Sequence, residues 1–184
     1  MKFSAIPLVT LLSLTSAAPA IKRWPTDPTI IKPTYIHTYN INTGALTYAP
    51  PLAISSFPKT TSTISTFTVP AGLSGRKCRL GFYISPSDTK STLTSTTGVQ
   101  VFSTNSVPPA RSVASWGPPG NQRSQHYGNL KLVKPGDGVV DDWPRLLESF
   151  DCPAQGTYAW EIVTKWDVAV QWDPVVSGLY VKPL

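Results

Sequence analysis

These 184 residues predict an all-β chain, an antiparallel β-sandwich stapled by one disulfide. Helical signals are almost absent. No long stretch carries apolar residues at three- and four-residue spacing, and 19 prolines recur too often for long helices. Short runs instead alternate apolar and polar residues between turn signals, the pattern of half-buried strands. The third observation is a pair of cysteines, Cys78 and Cys152, in a chain that opens with an export leader.

That leader is "MKFSAIPLVTLLSLTSAAPA", residues 1–20: one cation at Lys2, an apolar stretch from Ala5 to Leu14, then small residues. A membrane anchor needs about 20 apolar residues, and this run is shorter and broken by Pro7. No other stretch is long and apolar enough to span a bilayer. Next comes "IKRW", residues 21–24, read as a short propeptide ending at the dibasic pair Lys22 and Arg23 and leaving Trp24 as the mature terminus. The expected organisation beyond it is an N-terminal segment, 24–51, with apolar Ile30, Ile31, Tyr35 and Ile41, and a sandwich domain, 52–184.

Within the sandwich, "STISTFTV" (62–69) alternates and stops at the Pro70-Ala71-Gly72 turn, and "RKCRLGFYI" (76–84) puts Cys78, Leu80 and Phe82 on one face. "GVQVFS" offers Val99 and Val101, and "NLKLV" offers Leu130 and Leu132. "KPGDGVV" (134–140) is a turn flanked by strands. Leu146, Leu147 and Phe150 lead to Cys152. In "TYAWEIVTKW" (157–166) Tyr158, Trp160 and Ile162 share one face, while Ala159, Glu161 and Val163 share the other. "SGLYVKP" (177–183) closes the chain. Three regions read as long loops: Ser55 to Thr66 and Ser85 to Thr97, dense in Ser and Thr, and Val107 to Gly128, with its prolines and glycines.

Charged side chains make up 14% of the sequence, against about 25% in ordinary soluble proteins, which suits an exported chain better than a cytosolic enzyme. The formal charge is +6, but without Lys2, Lys22 and Arg23 there remain 13 basic against 10 acidic side chains, or +3. Nucleic-acid binding wants a dense basic face and is excluded as the expectation. In an oxidising compartment two cysteines allow one intramolecular bond. The competing readings, a catalytic thiol or a metal pair, lack a paired histidine motif or four-ligand zinc spacing.

Catalytic signals are sparse. The two histidines, His37 and His126, stand in polar surroundings and read as surface residues, and no HExxH, G-x-S-x-G or phosphate-binding glycine loop occurs. Carboxylates are the better candidates: Asp141 and Asp142 beside Trp143, then Glu148, Asp151, Glu161, Asp167 and Asp173. Asp141 and Asp142 lack the ligand-dense calcium loop, so no metal or cofactor is expected. Aromatic rings supply apolar area with a polar handle, which suits sugar or peptide. Trp160 reads as core. Trp116 and Trp143, in proline-rich or polar contexts, are the candidate ligand-binding side chains.

Three stretches together, "STFTVPAGLSGRKCRLGFYISP", "SFDCPAQGTYAWEIV" and "VQWDPVVSGLYV", resemble the ubiquitin 3 binding protein C-terminal domain family, also called the But-two family. The likeness runs from Ile64 to Val181 and rests on Val69-Pro70, on Gly75 through Leu80, on Phe150 through Pro153 and on Gly178 through Tyr180. It implies a secreted or surface-associated fungal β-sandwich whose two cysteines pair, and it carries over no catalytic residue. The expected function is therefore non-enzymatic and extracellular: association with cell-wall polysaccharide or a surface protein through Trp116 and Trp143. A carboxylate-dependent carbohydrate-active enzyme is the alternative, and a ubiquitin-like-pathway binding protein is ranked third because an exported chain lies in the wrong compartment for it.

Overall fold

Alternation becomes strand almost throughout the computed structural model, which describes residues 24–56, 60–93, 98–117, 122–141, 143–165 and 168–184. The leader, Lys22 and Arg23 lie outside the described residues, as do Asp142, Trp166 and Asp167. The strands are β1 (Tyr35–Asn40), β2 (Leu46–Tyr48), β3 (Ala53–Ser56), β4 (Thr61–Val69), β5 (Lys77–Ile84), β6 (Thr92–Leu93), β7 (Gly98–Thr104), β8 (Arg123–Lys131), β9 (Gly136–Asp137), β10 (Val139–Asp141), β11 (Phe150–Asp151), β12 (Gly156–Thr164), β13 (Ala169–Trp172) and β14 (Gly178–Pro183). Every pairing among them is antiparallel.

They form two sheets. The larger runs β10-β8-β7-β12-β4-β3-β13-β6, with β1 joined to β4 and β2 to β1; the smaller runs β11-β5-β14, with β9 on β5. Between them lies the main core, where Phe67, Val99, Val101, Leu130, Trp160, Ile162, Val170 and Trp172 meet Cys78, Leu80, Phe82, Ile84, Leu179 and Val181. Trp172 of the larger sheet packs edge-on against Phe82 of the smaller, ring centres 5.1 Å apart. The predicted inward faces of β5, β7 and β12 are those observed. Cys78 and Cys152 are bonded, with Cα atoms 4.9 Å apart, beside the Phe150↔Cys78 pairing of β11 with β5.

The three expected loops are corrected. Thr61 to Thr66 belongs to β4, which pairs with β12 on one side and β1 on the other. Its Ser62, Thr63, Ser65 and Thr66 are buried because both faces of the strand are covered. The strand expected over 62–69 is observed as Thr61–Val69, and only the overlapping loop reading of its hydroxyl-rich first half is overturned. Thr92–Leu93 pairs with β13, and Arg123 to Gly128 belongs to β8, which lies beside β7. Residues 24–51 are joined to the sheet, since β1 pairs with β4 from Tyr35 to Asn40.

The Pro/Gly-rich run from Asn105 to Gly117 is a strap across the β1–β2 hairpin. Leu46 and Val113 exchange backbone hydrogen bonds, and the Trp116 N–H donates to the Gly44 carbonyl at 2.7 Å. Under the strap a second core of Tyr39, Leu46, Ile64, Trp116 and Ala159 covers the outward face of the larger sheet. The histidine expectation fails here as well. His37 on β1 is completely buried, and His126 on β8 is half-buried against Phe102, ring centres 4.5 Å apart.

Candidate functional site

The two predicted tryptophans part company. Trp116 is 9% exposed and packs edge-on against Tyr39, 5.7 Å between ring centres, so it is core and not a binding surface. Trp143 is 79% exposed, on the stretch after β10, with its carbonyl accepting from Asn129 Nδ2 at 3.5 Å. It remains a candidate. The folding of the strap over the hairpin buries one of these rings, and the other stays largely in solvent.

A cluster that the sequence reading missed lies at the start of β1 and the end of β2. Tyr35 and Tyr48, cross-strand neighbours with ring centres 5.8 Å apart, line a groove of about 640 Å³ together with Trp24, Lys32, Pro33, Pro50, Pro51, Pro174 and Val175. Each wall has a reason to be where it is. Trp24 is pinned by its indole N–H donating to the Val175 carbonyl at 2.9 Å, and Lys32 Nζ sits 5.5 Å from the centre of its ring. Tyr35 donates its hydroxyl to the Pro108 carbonyl of the strap at 3.0 Å, which fixes the ring. His37 lies between the tyrosines, 5.6 Å from Tyr35 and 5.3 Å from Tyr48.

The chemistry of this groove is that of recognition. Its volume lies in the ordinary range for small-ligand sites, about 300–1,000 Å³. Rings and prolines offer apolar faces, Lys32 offers a cation, and no carboxylate lines it among the described residues. His37 donates Nε2–H to the Arg111 carbonyl at 3.3 Å, because a carbonyl can only accept. Burial lowers its pKa below the usual value of 6.5, so at neutral pH it is an uncharged prop behind the tyrosines. Tyr48, 37% exposed, is the ring most open to a ligand.

The carboxylates are spread out. Asp141 is exposed on β10. Glu148 pairs with Arg145 at 3.4 Å, and it shares a depression of about 520 Å³ with Asp137, whose oxygen accepts from the Tyr180 hydroxyl at 2.8 Å. Asp151 pairs with Lys77 at 2.6 Å and Asp173 with Lys90 at 3.1 Å. Among the described residues no three His, Cys, Asp or Glu side chains converge as a metal site would require, and no helix is long and apolar enough to cross a membrane.

The family model described as the ubiquitin 3 binding protein But2 C-terminal domain matches residues 33–173. The chain belongs to the But2 C-terminal domain family. No curated protein matches it. The But2 match begins well before Ile64, where the sequence resemblance was drawn, and takes in β1 and β2, so Tyr35 and Tyr48 lie within it while Trp24 and Val175 lie outside. The signal that could have found the groove was the alternation in "TYIHTYN" (34–40), where Tyr35, His37 and Tyr39 share a face.

Proposed function

We propose that this But2-family chain is an exported, non-enzymatic binding domain that attaches to cell-wall polysaccharide by seating a sugar chain in the groove of Trp24, Tyr35 and Tyr48. The observation that carries the reading is the open pair of tyrosine rings beside the buried His37, in a groove that no carboxylate lines among the described residues. Aromatic faces meet the C–H faces of sugars, and each ring supplies a large apolar area to bury there. The Cys78–Cys152 bond supports export, since such bonds persist in oxidising compartments. For the same reason a cytosolic ubiquitin-like partner, which the family description invites, is the less favoured reading.

The test is retention of the secreted protein on insoluble polysaccharides, together with its intact mass from culture fluid. The mass should correspond to a chain starting near Ala18 or at Trp24. Tyr48→Ala should weaken retention about tenfold, the loss of one good ring contact, and Trp143→Ala should leave it unchanged. If Trp143→Ala carries the loss, the exposed tryptophan is the seat; retention on no polysaccharide sinks the proposal. A second reading, hydrolysis by carboxylates, draws on Glu148 and Asp137 sharing one depression. It predicts turnover that vanishes in Glu148→Gln.

A further inference from the structure

Beside the strap, the outward face of the larger sheet stays open as a cleft of about 530 Å³. Ile41 and Val163 give it an apolar lining, and Gln100, Ser56 and Arg123 are among the polar side chains that line it. Next to it lies a carboxylate taken out of water: Glu161, 1% exposed, meets Arg123 at 3.2 Å. Arg123 in turn lies over the Phe102 ring, 5.3 Å from its centre. Glu161 and Arg123 cancel each other's charge. Lys165 also lines the cleft and brings a positive charge that no described residue pairs with. His126 adds none near neutral pH, because burial and then Lys165 hold its pKa below the usual 6.5.

We infer that this cleft is a second binding site, for an anionic sugar whose carboxylate meets Lys165 while its C–H face rests on Ile41 and Val163. Charge complementarity chooses the anion, and the pairing of an apolar lining with amide and hydroxyl side chains chooses a sugar over a bare ion. The site is separate from the aromatic groove and does not depend on the reading given there. It gives the protein a way to distinguish acidic from neutral polysaccharide.

Calorimetric titration of the whole mature chain with a trimer of galacturonic acid, and with the same trimer methyl-esterified, tests this directly. The acid should bind at least about tenfold tighter than the ester, and the difference should shrink at high salt as exposed charges are screened. Lys165→Gln should abolish the difference and Gln100→Ala should weaken both ligands, while Tyr48→Ala should leave the difference intact. Equal binding of acid and ester, no binding of either, or an acid preference that survives Lys165→Gln would overturn the assignment. Loss of the preference in Tyr48→Ala would do the same.

Discussion

Trp116, carried by the strap itself, loses nearly all its surface against the β1–β2 hairpin, whereas Trp143 keeps most of its own in solvent. Both stand among residues that favour turns, so the difference comes from what folds over each ring. His37 shows the same effect on a titrating group. Its burial lowers the folded pKa, so as pH falls through 6.5 the unfolded chain takes up a proton that the folded chain resists. Stability from this residue is therefore complete above 6.5 and declines below it, toward the lowered folded value. His126, lowered chiefly by burial, acts in the same direction. Urea midpoints should accordingly drop between pH 7.5 and pH 5.5, and His37→Gln, which keeps a donor for the Arg111 carbonyl, should flatten part of that slope. An unchanged slope in the variant would show that His37 is not held neutral.

Strands were legible where apolar residues alternate, and their limits were blurred where hydroxyl side chains fill buried positions. β5, β7 and β12 place apolar residues at every second position, facing one core, and their inward residues could be named from sequence. β4 was expected over 62–69 and spans Thr61–Val69, but its first half also read as loop, because Ser62, Thr63, Ser65 and Thr66 fill buried positions with hydroxyl side chains. On the smaller sheet a different local fit decides the packing. The Tyr180 ring lies across Gly81, and its hydroxyl sits between Arg79 at 3.1 Å and Asp137 at 2.8 Å. A side chain at position 81 would run into that ring. Gly81→Ala should therefore cost about 1–3 kcal/mol by overpacking, measured by urea denaturation. The phenol of Tyr180, pushed up to about 12 mainly by burial, should titrate earlier in that variant. A neutral substitution would mean that Tyr180 moves aside freely.

Across the molecule the disulfide joins β5 to the residue after β11 and closes a loop of sequence separation 74. In the chain-entropy account, closing such a loop restricts the unfolded chain and stabilises the fold by about 4 kcal/mol. The double variant Cys78→Ala, Cys152→Ala removes the bond without leaving a reactive thiol. Its urea midpoint should fall correspondingly, and reductant should no longer shift it. A midpoint equal to that of the parent would place the stability of the sandwich in its core alone.

The all-β class, the inward faces of three strands, the candidate disulfide and the family resemblance were open to a reader of the chain, because each rests on local periodicity, composition or short motifs. The aromatic groove was not. It depends on Trp24 reaching Val175, 151 positions away, and on Tyr35 finding a carbonyl of the strap. The burial of Trp116 and His37, the covering of β4 and the meeting of Glu161 with Arg123 are of the same kind. Local alternation tells a strand which way its side chains point, but what covers each face is set by segments far away in the chain, through packing that forms only when the two sheets and the strap close together.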